Sequence, residues 1–188
     1  MTTLNLQVSA NNDDANEQQN DTGFNAGSSS TKAGSSANIA DRSISGHRFT
    51  NVTVPKDAQI ITATIQIKPA NTSLDDANID IHAEDVDNAV DFAATTDVWN
   101  RARTTASVAW VADSLGASYV TSPELKTVIQ EIVDRGSWVS GNALVILLKG
   151  KSDVIKQLHP FAFEATDSVK LDIEYATVRK RSYARAIL

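Results

Sequence analysis

The chain has 188 residues, of which 41% are hydrophobic and 21% are charged, with no cysteine and a formal net charge of -6. A chain of this length can bury enough apolar surface to fold as one domain without disulfides or a structural metal. The lack of cysteine excludes thiol catalysis, zinc–thiolate sites, iron–sulfur clusters and disulfides. The acidic balance argues against a general nucleic-acid-binding protein, which usually carries a basic face.

The first 46 residues are predicted to form a polar N-terminal arm that begins with a short strand. Leu4, Leu6 and Val8 alternate with polar residues, a pattern typical of a strand with one buried face. The stretch 10–46 is rich in Asn, Asp, Ser and Gly and cannot bury enough apolar surface to offset its chain entropy. This composition fits either a flexible linker or an extended arm that is ordered by a partner.

The start of the chain shows no targeting signal. Residues 1–6 lack the charged segment and the long apolar segment of an ordinary secretory signal. The longest strongly apolar run, residues 143–148, is far shorter than the ~20 residues that span a bilayer. We therefore expect a protein that is made in the cytoplasm of its producer and does not enter a membrane.

Residues 47–176 are predicted to form an antiparallel β-sandwich. The continuous apolar run at 143–148 indicates a central strand that is covered on both faces. In the first of these strands, residues 47–54, the alternation of apolar and polar residues shifts between Phe49 and Val52, which predicts a β-bulge. Turn residues separate the runs. Alternation predicts further strands at residues 47–54, 61–67, 79–83, 108–110, 161–163 and 169–175.

One amphipathic helix is predicted over residues 122–135. Ser122 is a suitable N-cap, Pro123 suits the first helical position, and Gly136 suits the left-handed position after the last turn. Five apolar residues follow at helical spacing, so we expect this face to pack on the sheet. They are Leu125, Val128, Ile129, Ile132 and Val133.

The order of these elements resembles a known group of jelly-roll domains. Residues 48–67, RFTNVTVPKDAQIITATIQI, combine an Arg-Phe strand, a proline-containing turn and a strand of the form Ala-x-Ile-x-x-Ala. This is similar to the opening of DNRLRE-type, carbohydrate-binding-module-like jelly rolls, as are residues 79–89, IDIHAEDVDNA, and the helix that precedes Trp138. The resemblance covers residues 47–176. It implies a β-sandwich of the kind found in surface proteins and among phage structural proteins, often with a structural Ca²⁺.

Five residues after the strand at 79–83 are candidate calcium ligands. Hard oxygen donors placed so close together suit Ca²⁺, although their spacing fits no EF-hand. The alternative is a solvated acidic loop that holds no metal. No other cofactor is expected. The candidate ligands are Glu84, Asp85, Asp87, Asn88 and Asp91.

The aromatic residues offer one candidate ligand contact. Trp110 lies in a predicted strand and Trp138 follows the helix, so both are expected in the core. Trp99, together with Arg101 and Arg103, lies in a loop-like stretch. These three residues are the candidate contact for a glycan, and core packing of Trp99 is the alternative.

The charge of the chain is unevenly distributed. The final ten residues contain four basic residues and no acid: Arg179, Lys180, Arg181 and Arg185. Without these four, 13 basic residues face 23 acidic ones, a net charge of -10. Residues 177–188 are therefore predicted to form a basic tail on an acidic body. This tail is either a solvated terminus or a docking peptide for an acidic neighbouring chain.

The sequence favours a binding protein over an enzyme. His47, His82 and His159 are scattered, and no nucleophile elbow, Walker loop or dinucleotide fingerprint is present. Nothing sets two carboxylates at the separation that glycoside hydrolysis requires. We expect a virion structural protein of a bacteriophage, such as a capsid decoration protein or a tail or neck component. It would bind other copies of itself and other virion proteins through its terminal segments. The alternative is a carbohydrate-binding module or a host-surface glycan-binding domain.

Overall fold

The computed structural model describes residues 1–19, 23–35, 42–70, 77–93, 97–112, 115–151, 157–158, 160, 162 and 167–177. Strands dominate these residues, and the one helix among them is short. The elements in chain order are β1 (Thr2–Gln7), β2 (Asp14–Gln18), β3 (Asn25–Ala26), β4 (Ala33–Ser35), β5 (Arg42–Phe49), β6 (Gln59–Ile67), β7 (Ala77–Ala83), β8 (Val108–Ala112), β9 (Val120–Thr121), α1 (Lys126–Val133), β10 (Leu144–Gly150), β11 (Gln157–Leu158) and β12 (Lys170–Ala176).

The strands form two antiparallel sheets that pack against each other. The smaller sheet has the order β1-β12-β6-β9, and the larger one has the order β11-β4-β5-β10-β7-β8, with β2 pairing with both β5 and β3. The prediction of an all-β sandwich is confirmed. The most apolar strand, β10, lies between β5 and β7, which is the central position that its continuous apolar run predicts.

The main core lies between the two sheets. Alternate residues of β6 and β12, such as Ile65 and Ile173, face Ile81 of β7 and Ile146 of β10 in one buried cluster. Trp138 is buried in the same cluster, where its indole Nε1 donates a hydrogen bond to the carbonyl oxygen of Val54 at 3.0 Å. Trp110 is also buried. The core positions predicted for these two tryptophans are confirmed.

The helix is shorter than predicted, but its apolar face is correct. All five residues of the predicted stripe, from Leu125 to Val133, are buried. Helix α1 begins after Leu125 instead of at Ser122, because the Ser122 hydroxyl accepts a hydrogen bond from the Ile65 amide at 3.1 Å and donates one to the Pro123 carbonyl at 2.8 Å. Gly136 is not in the left-handed conformation predicted for it.

The first predicted strand of the body is displaced towards the N-terminus. Strand β5 begins at Arg42 and ends at Phe49, without the predicted bulge. Asn51 has a φ of 54°, a left-handed backbone conformation that ends regular strand geometry. Among the predicted strand 161–163, only Ala162 lies within the described residues, and it is buried.

The described parts of residues 1–46 pair with strands of the same chain. Strand β1 lies along β12, with Leu4 opposite Ile173, and the Val8 amide donates to the Val169 carbonyl at 3.0 Å. Strands β2 and β4 both pair with β5. In these parts the body's own sheets supply the strand pairing, whereas the composition had left open a flexible linker or an arm ordered by a partner. Apart from Thr177, the basic tail lies outside the described residues.

The helix found among the described residues is not long and apolar enough to cross a membrane.

Candidate functional site

The loop between β7 and β8, residues 84–107, folds over the outer face of the larger sheet. We call it the β7–β8 loop; the structure describes it apart from residues 94–96. Phe92 and Val98 of this loop pack on Ile44, Val145 and Leu147 of the sheet, and this second cluster is separate from the main core. The loop is therefore held on the sheet by apolar contacts of its own. The predicted calcium ligands and glycan contacts lie in this loop.

Arg101, one of the predicted ligand contacts, holds this loop together. Its side chain is only 5% exposed and forms an ion pair with the Glu84 carboxylate at 2.7 Å. The guanidinium also lies 4.2 Å from the centroid of the Phe92 ring. It donates further hydrogen bonds to three backbone carbonyls of the loop, those of Val90, Asp91 and Asp97. With its donors directed inward, Arg101 acts here as a structural residue of the loop.

Arg135 joins the end of the helix to the start of the loop. Its guanidinium contacts the Asp85 carboxylate and donates to the Asp87 carboxylate at 3.0 Å. Partial burial opposes the charge of Arg135, but hydrogen bonds and attraction to Asp87 and Asp85 outweigh it, so the pKa of Arg135 is raised. A neighbouring backbone amide, that of Ala143, donates to the Asn88 side-chain oxygen at 2.8 Å.

The five predicted calcium ligands are thus divided among different partners. Glu84 binds Arg101, Asp85 and Asp87 bind Arg135, and Asn88 binds a backbone amide. Asp91 accepts a hydrogen bond from the Ala93 amide at 3.2 Å. Within the described ranges, no three His, Cys, Asp or Glu side chains converge as metal ligands. Calcium binds six to eight oxygens around one point, and in the described residues three of these carboxylates form arginine–carboxylate pairs instead.

Trp99 lies at the edge of the second cluster, where the loop meets the exposed sheet face. Its ring packs against that cluster but stays partly exposed. Its backbone amide donates to the Glu17 carboxylate at 2.8 Å. The Arg42 guanidinium lies 5.8 Å and the Lys149 ammonium 5.9 Å from the ring centroid, which is within the range of cation–π attraction. Arg103 donates to the Trp99 carbonyl oxygen at 2.8 Å.

These residues form one patch on the outer face of the larger sheet. We call Arg42, Trp99, Arg103 and Lys149 the Trp99 patch. Alternate residues of paired strands point to one face, and Lys149 of β10 lies opposite both Ile44 of β5 and Asp80 of β7. The sequence identified Trp99 and Arg103 but missed Arg42 and Lys149. Their proximity depends on strand register, which a single sequence does not reveal.

The patch has an excess of positive charge. The pKa of Lys149 is lowered, first by burial and then by repulsion from Arg103 and Arg42, against a smaller opposing effect of Asp80. The pKa of His82 is lowered mainly by burial, with Arg103 and Lys149 adding to the effect and the Thr104 carbonyl opposing it. Within the described residues, Arg42, Arg103 and Lys149 have no carboxylate at ion-pair distance; Asp80 pairs with Lys151 at 3.2 Å.

A serine–histidine pair that the sequence did not indicate lies inside the sandwich. The Ser45 hydroxyl and His47 Nε2 are 3.2 Å apart, within reach of the hydrogen bond that a nucleophile and its base share. Both residues are fully buried, and His47 Nδ1 has no hydrogen-bond partner in the described part of the chain. Burial lowers the pKa of His47 from its ordinary 6.5 to about 3. A substrate has no access to this pair, so its neutral imidazole is a feature of the core.

The predicted partner-binding residues, Arg179, Lys180, Arg181 and Arg185, lie outside the described residues. Comparison with known proteins adds no relative: no protein-family model and no curated protein matches the chain.

Proposed function

We propose that this protein is a virion structural protein of a bacteriophage, a capsid decoration protein or a tail or neck component, which acts by binding other chains. The observation that carries the proposal is the separation of charge. A basic segment, residues 177–188, directly follows the last strand of a body whose net charge is of the opposite sign. Electrostatic attraction of this kind favours contact between a tail and the acidic surface of a neighbouring copy or of another virion protein.

The way in which the body uses its charges supports a tail-based contact. The described ion pairs of the body join its own acids and bases, as in Arg101–Glu84 and Arg135–Asp87. Such pairs stabilise the β7–β8 loop and leave fewer charged side chains of the body available to bind a partner chain. The choice of a phage particle rests on the resemblance of residues 47–176 to jelly rolls of phage structural proteins.

The proposal is tested by restoring the protein to particles assembled without it. Wild-type chain, the double variant Arg179→Gln/Lys180→Gln and a matched control, Lys32→Gln/Lys56→Gln, are mixed with such particles and sedimented. Lys32 and Lys56 are exposed on the body, so the control removes the same charge from another place. We expect the tail variant to co-sediment at least about tenfold less than the control, because each close charge pair contributes about 1 kcal/mol or more. Equal co-sedimentation of both variants would refute binding through the tail.

The second candidate function is glycan binding, and the Trp99 patch is the observation that favours it. A partly exposed indole at the edge of the β7–β8 loop can pack against the apolar face of a sugar ring, while neighbouring polar groups fix its orientation. In this case the protein would act as a host-surface glycan-binding domain of the particle. Saturable binding of a sugar that is lost on Trp99→Ala would support this function, and a lack of binding across a broad glycan array would exclude it.

A further inference from the structure

The Trp99 patch combines two chemical features that a ligand must match. The first is the indole of Trp99, which is partly exposed although its inner side packs on the second cluster. The second is a group of three cations from three different parts of the fold, Arg42 of β5, Lys149 of β10 and Arg103 of the β7–β8 loop. Their positions are set by the sheet and by the anchored loop, so the patch is largely preformed.

The described hydrogen bonds of Arg42 and Arg103 go to neutral acceptors. Arg42 Nε donates to the neutral side-chain oxygen of Gln19 at 2.8 Å. Arg103 donates to backbone carbonyls, those of Trp99 and Arg101. Two described acids lie near the patch: Glu17 accepts from the Trp99 amide, and Asp80, which pairs with Lys151, offsets part of the repulsion at Lys149. A bound anion would relieve the mutual repulsion of the three cations, since opposite charge nearby stabilises the charged form of each.

We infer that the Trp99 patch binds an acidic saccharide, with a sugar ring against the Trp99 indole and a ring carboxylate between Lys149, Arg103 and Arg42. This inference rests on the glycan-binding candidate and specifies its substrate class. Arginine and lysine form strong charge-assisted hydrogen bonds with carboxylates, and the indole supplies the apolar contact.

A saccharide fits the patch better than a nucleic acid does. Proteins that bind single strands use several aromatic side chains for successive bases, together with a continuous basic groove. The patch offers one indole, and the chain as a whole is acidic, with a net charge of -6. Long-range repulsion therefore disfavours a polyanionic strand, whereas a short ligand with a few carboxylates needs only local attraction.

The test compares trigalacturonate with its fully methyl-esterified form, which has the same sugar rings and no charge. Binding is followed by tryptophan fluorescence and by calorimetry. Trp110 and Trp138 are 5% and 1% exposed, so a change in fluorescence on ligand addition reports mainly on Trp99. A thymidylate octamer serves as the nucleic-acid probe. We expect saturable binding of trigalacturonate that weakens with added salt, and binding of the ester and the octamer that is at least about tenfold weaker.

Two variants distinguish the effect of a cation in the Trp99 patch from the effect of the net charge of the protein. Lys149→Met removes the ammonium beside Trp99 and keeps the apolar part of the side chain. The control is Lys170→Met, which removes a cation that lies 3.9 Å from the Tyr119 ring centroid on the smaller sheet. We expect Lys149→Met to weaken trigalacturonate binding by about tenfold and Lys170→Met to leave it unchanged, with both variants keeping the wild-type near-ultraviolet circular dichroism.

Several results would overturn the inference. They are equal binding of the acid and the ester, preferential binding of the octamer, no binding of either saccharide, or equal losses in the two lysine variants. None of these results bears on incorporation of the chain into particles through its tail. If Lys149→Met alters the circular dichroism, Arg103→Gln, on the loop instead of a strand, replaces it in the same comparison.

Discussion

The buried histidine of the sandwich predicts a specific loss of stability in acid. The side chain of His47 is fully buried beside Ser45, and across the strand pairs it lies opposite Asp14 of β2 and Ile146 of β10. Replacing His47 with glutamine keeps a polar, hydrogen-bonding side chain but removes the titratable group. We therefore predict that His47→Gln makes the free energy of unfolding less dependent on pH below about pH 6.5.

The size of the effect follows from the shift in pKa. In the folded chain the pKa of His47 is lowered from 6.5 to about 3 by burial. Between these values the unfolded chain takes up a proton that the folded chain does not, so the stability present above about pH 6.5 is lost as the pH falls towards 3. At about pH 5, this preference of the unfolded state for the proton amounts to about 2 kcal/mol.

The assay is urea unfolding at about pH 7.5 and about pH 5, followed by circular dichroism. Wild type should lose about 2 kcal/mol more than His47→Gln between the two pH values. The control is His82→Gln: because His82 is partly exposed, this variant should keep most of the wild-type pH dependence. If wild type and His47→Gln lose the same free energy, His47 is not held neutral by burial, and the reasoning is refuted.

Three further predictions concern the β7–β8 loop. Arg101→Met should lower the free energy of unfolding by about 3 kcal/mol or more, because it leaves the Glu84 carboxylate buried without its partner. Arg135→Gln, at a more exposed pair, should lower it by about 1 kcal/mol or less. Urea unfolding measures both, and equal losses would contradict the assigned role of Arg101. In Gly46→Ala the new Cβ would clash with Cζ of the Phe92 ring and lie 2.9 Å from its Cε1, so we expect a loss of about 1–3 kcal/mol that shrinks in a Phe92→Leu background. An unchanged cost in that background would show that the loop does not cover the sheet at this point. Adding Ca²⁺ to about 5 mM should leave the melting temperature within about 1 °C of its value in chelator, because arginines already engage three of the carboxylates. A clear increase would support the predicted calcium site.

The strands and the helix that could be predicted from the sequence are those that bury apolar side chains. Alternating aliphatic residues identified β6, β7 and β12, and the stripe from Leu125 to Val133 identified the helix. In each case the hydrophobic period alone carries the structural information. The helix start was wrong because Ser122 has a long-range partner, the Ile65 amide, which competes with the local cap.

Apart from the predicted strand β1, the strands of the N-terminal segment could not be predicted because they bury polar and small residues. Asp14 and Asn16 of β2 are buried, as are Ser43 and Ser45 of β5. A composition of this kind resembles a linker when only apolar residues are counted. Their backbone pairs with neighbouring strands of the same sheet, and such pairing between distant segments is not encoded in local periodicity.

In the candidate site too, residues close in sequence could be grouped from the sequence, whereas contacts between distant segments could not. Trp99 and Arg103 were recognised because they are close in sequence. The acidic residues were recognised as a cluster, but the arginines that engage them, Arg101 and Arg135, were not assigned to them; Arg135 pairs with Asp85 from a position 50 residues further along the chain. Lys149 reaches Trp99 only through sheet register.

The proposed role as a virion structural protein is tested most directly by the content of purified particles. Phage particles from the producing host are banded by density, and the chain is quantified against the major capsid protein by mass spectrometry, with the free lysate protein measured in parallel. We predict that the chain is present in a fixed ratio to the capsid protein across independent preparations, and that this ratio falls for the Arg179→Gln/Lys180→Gln variant. A chain that is abundant in the lysate but absent from the particles would contradict the proposal.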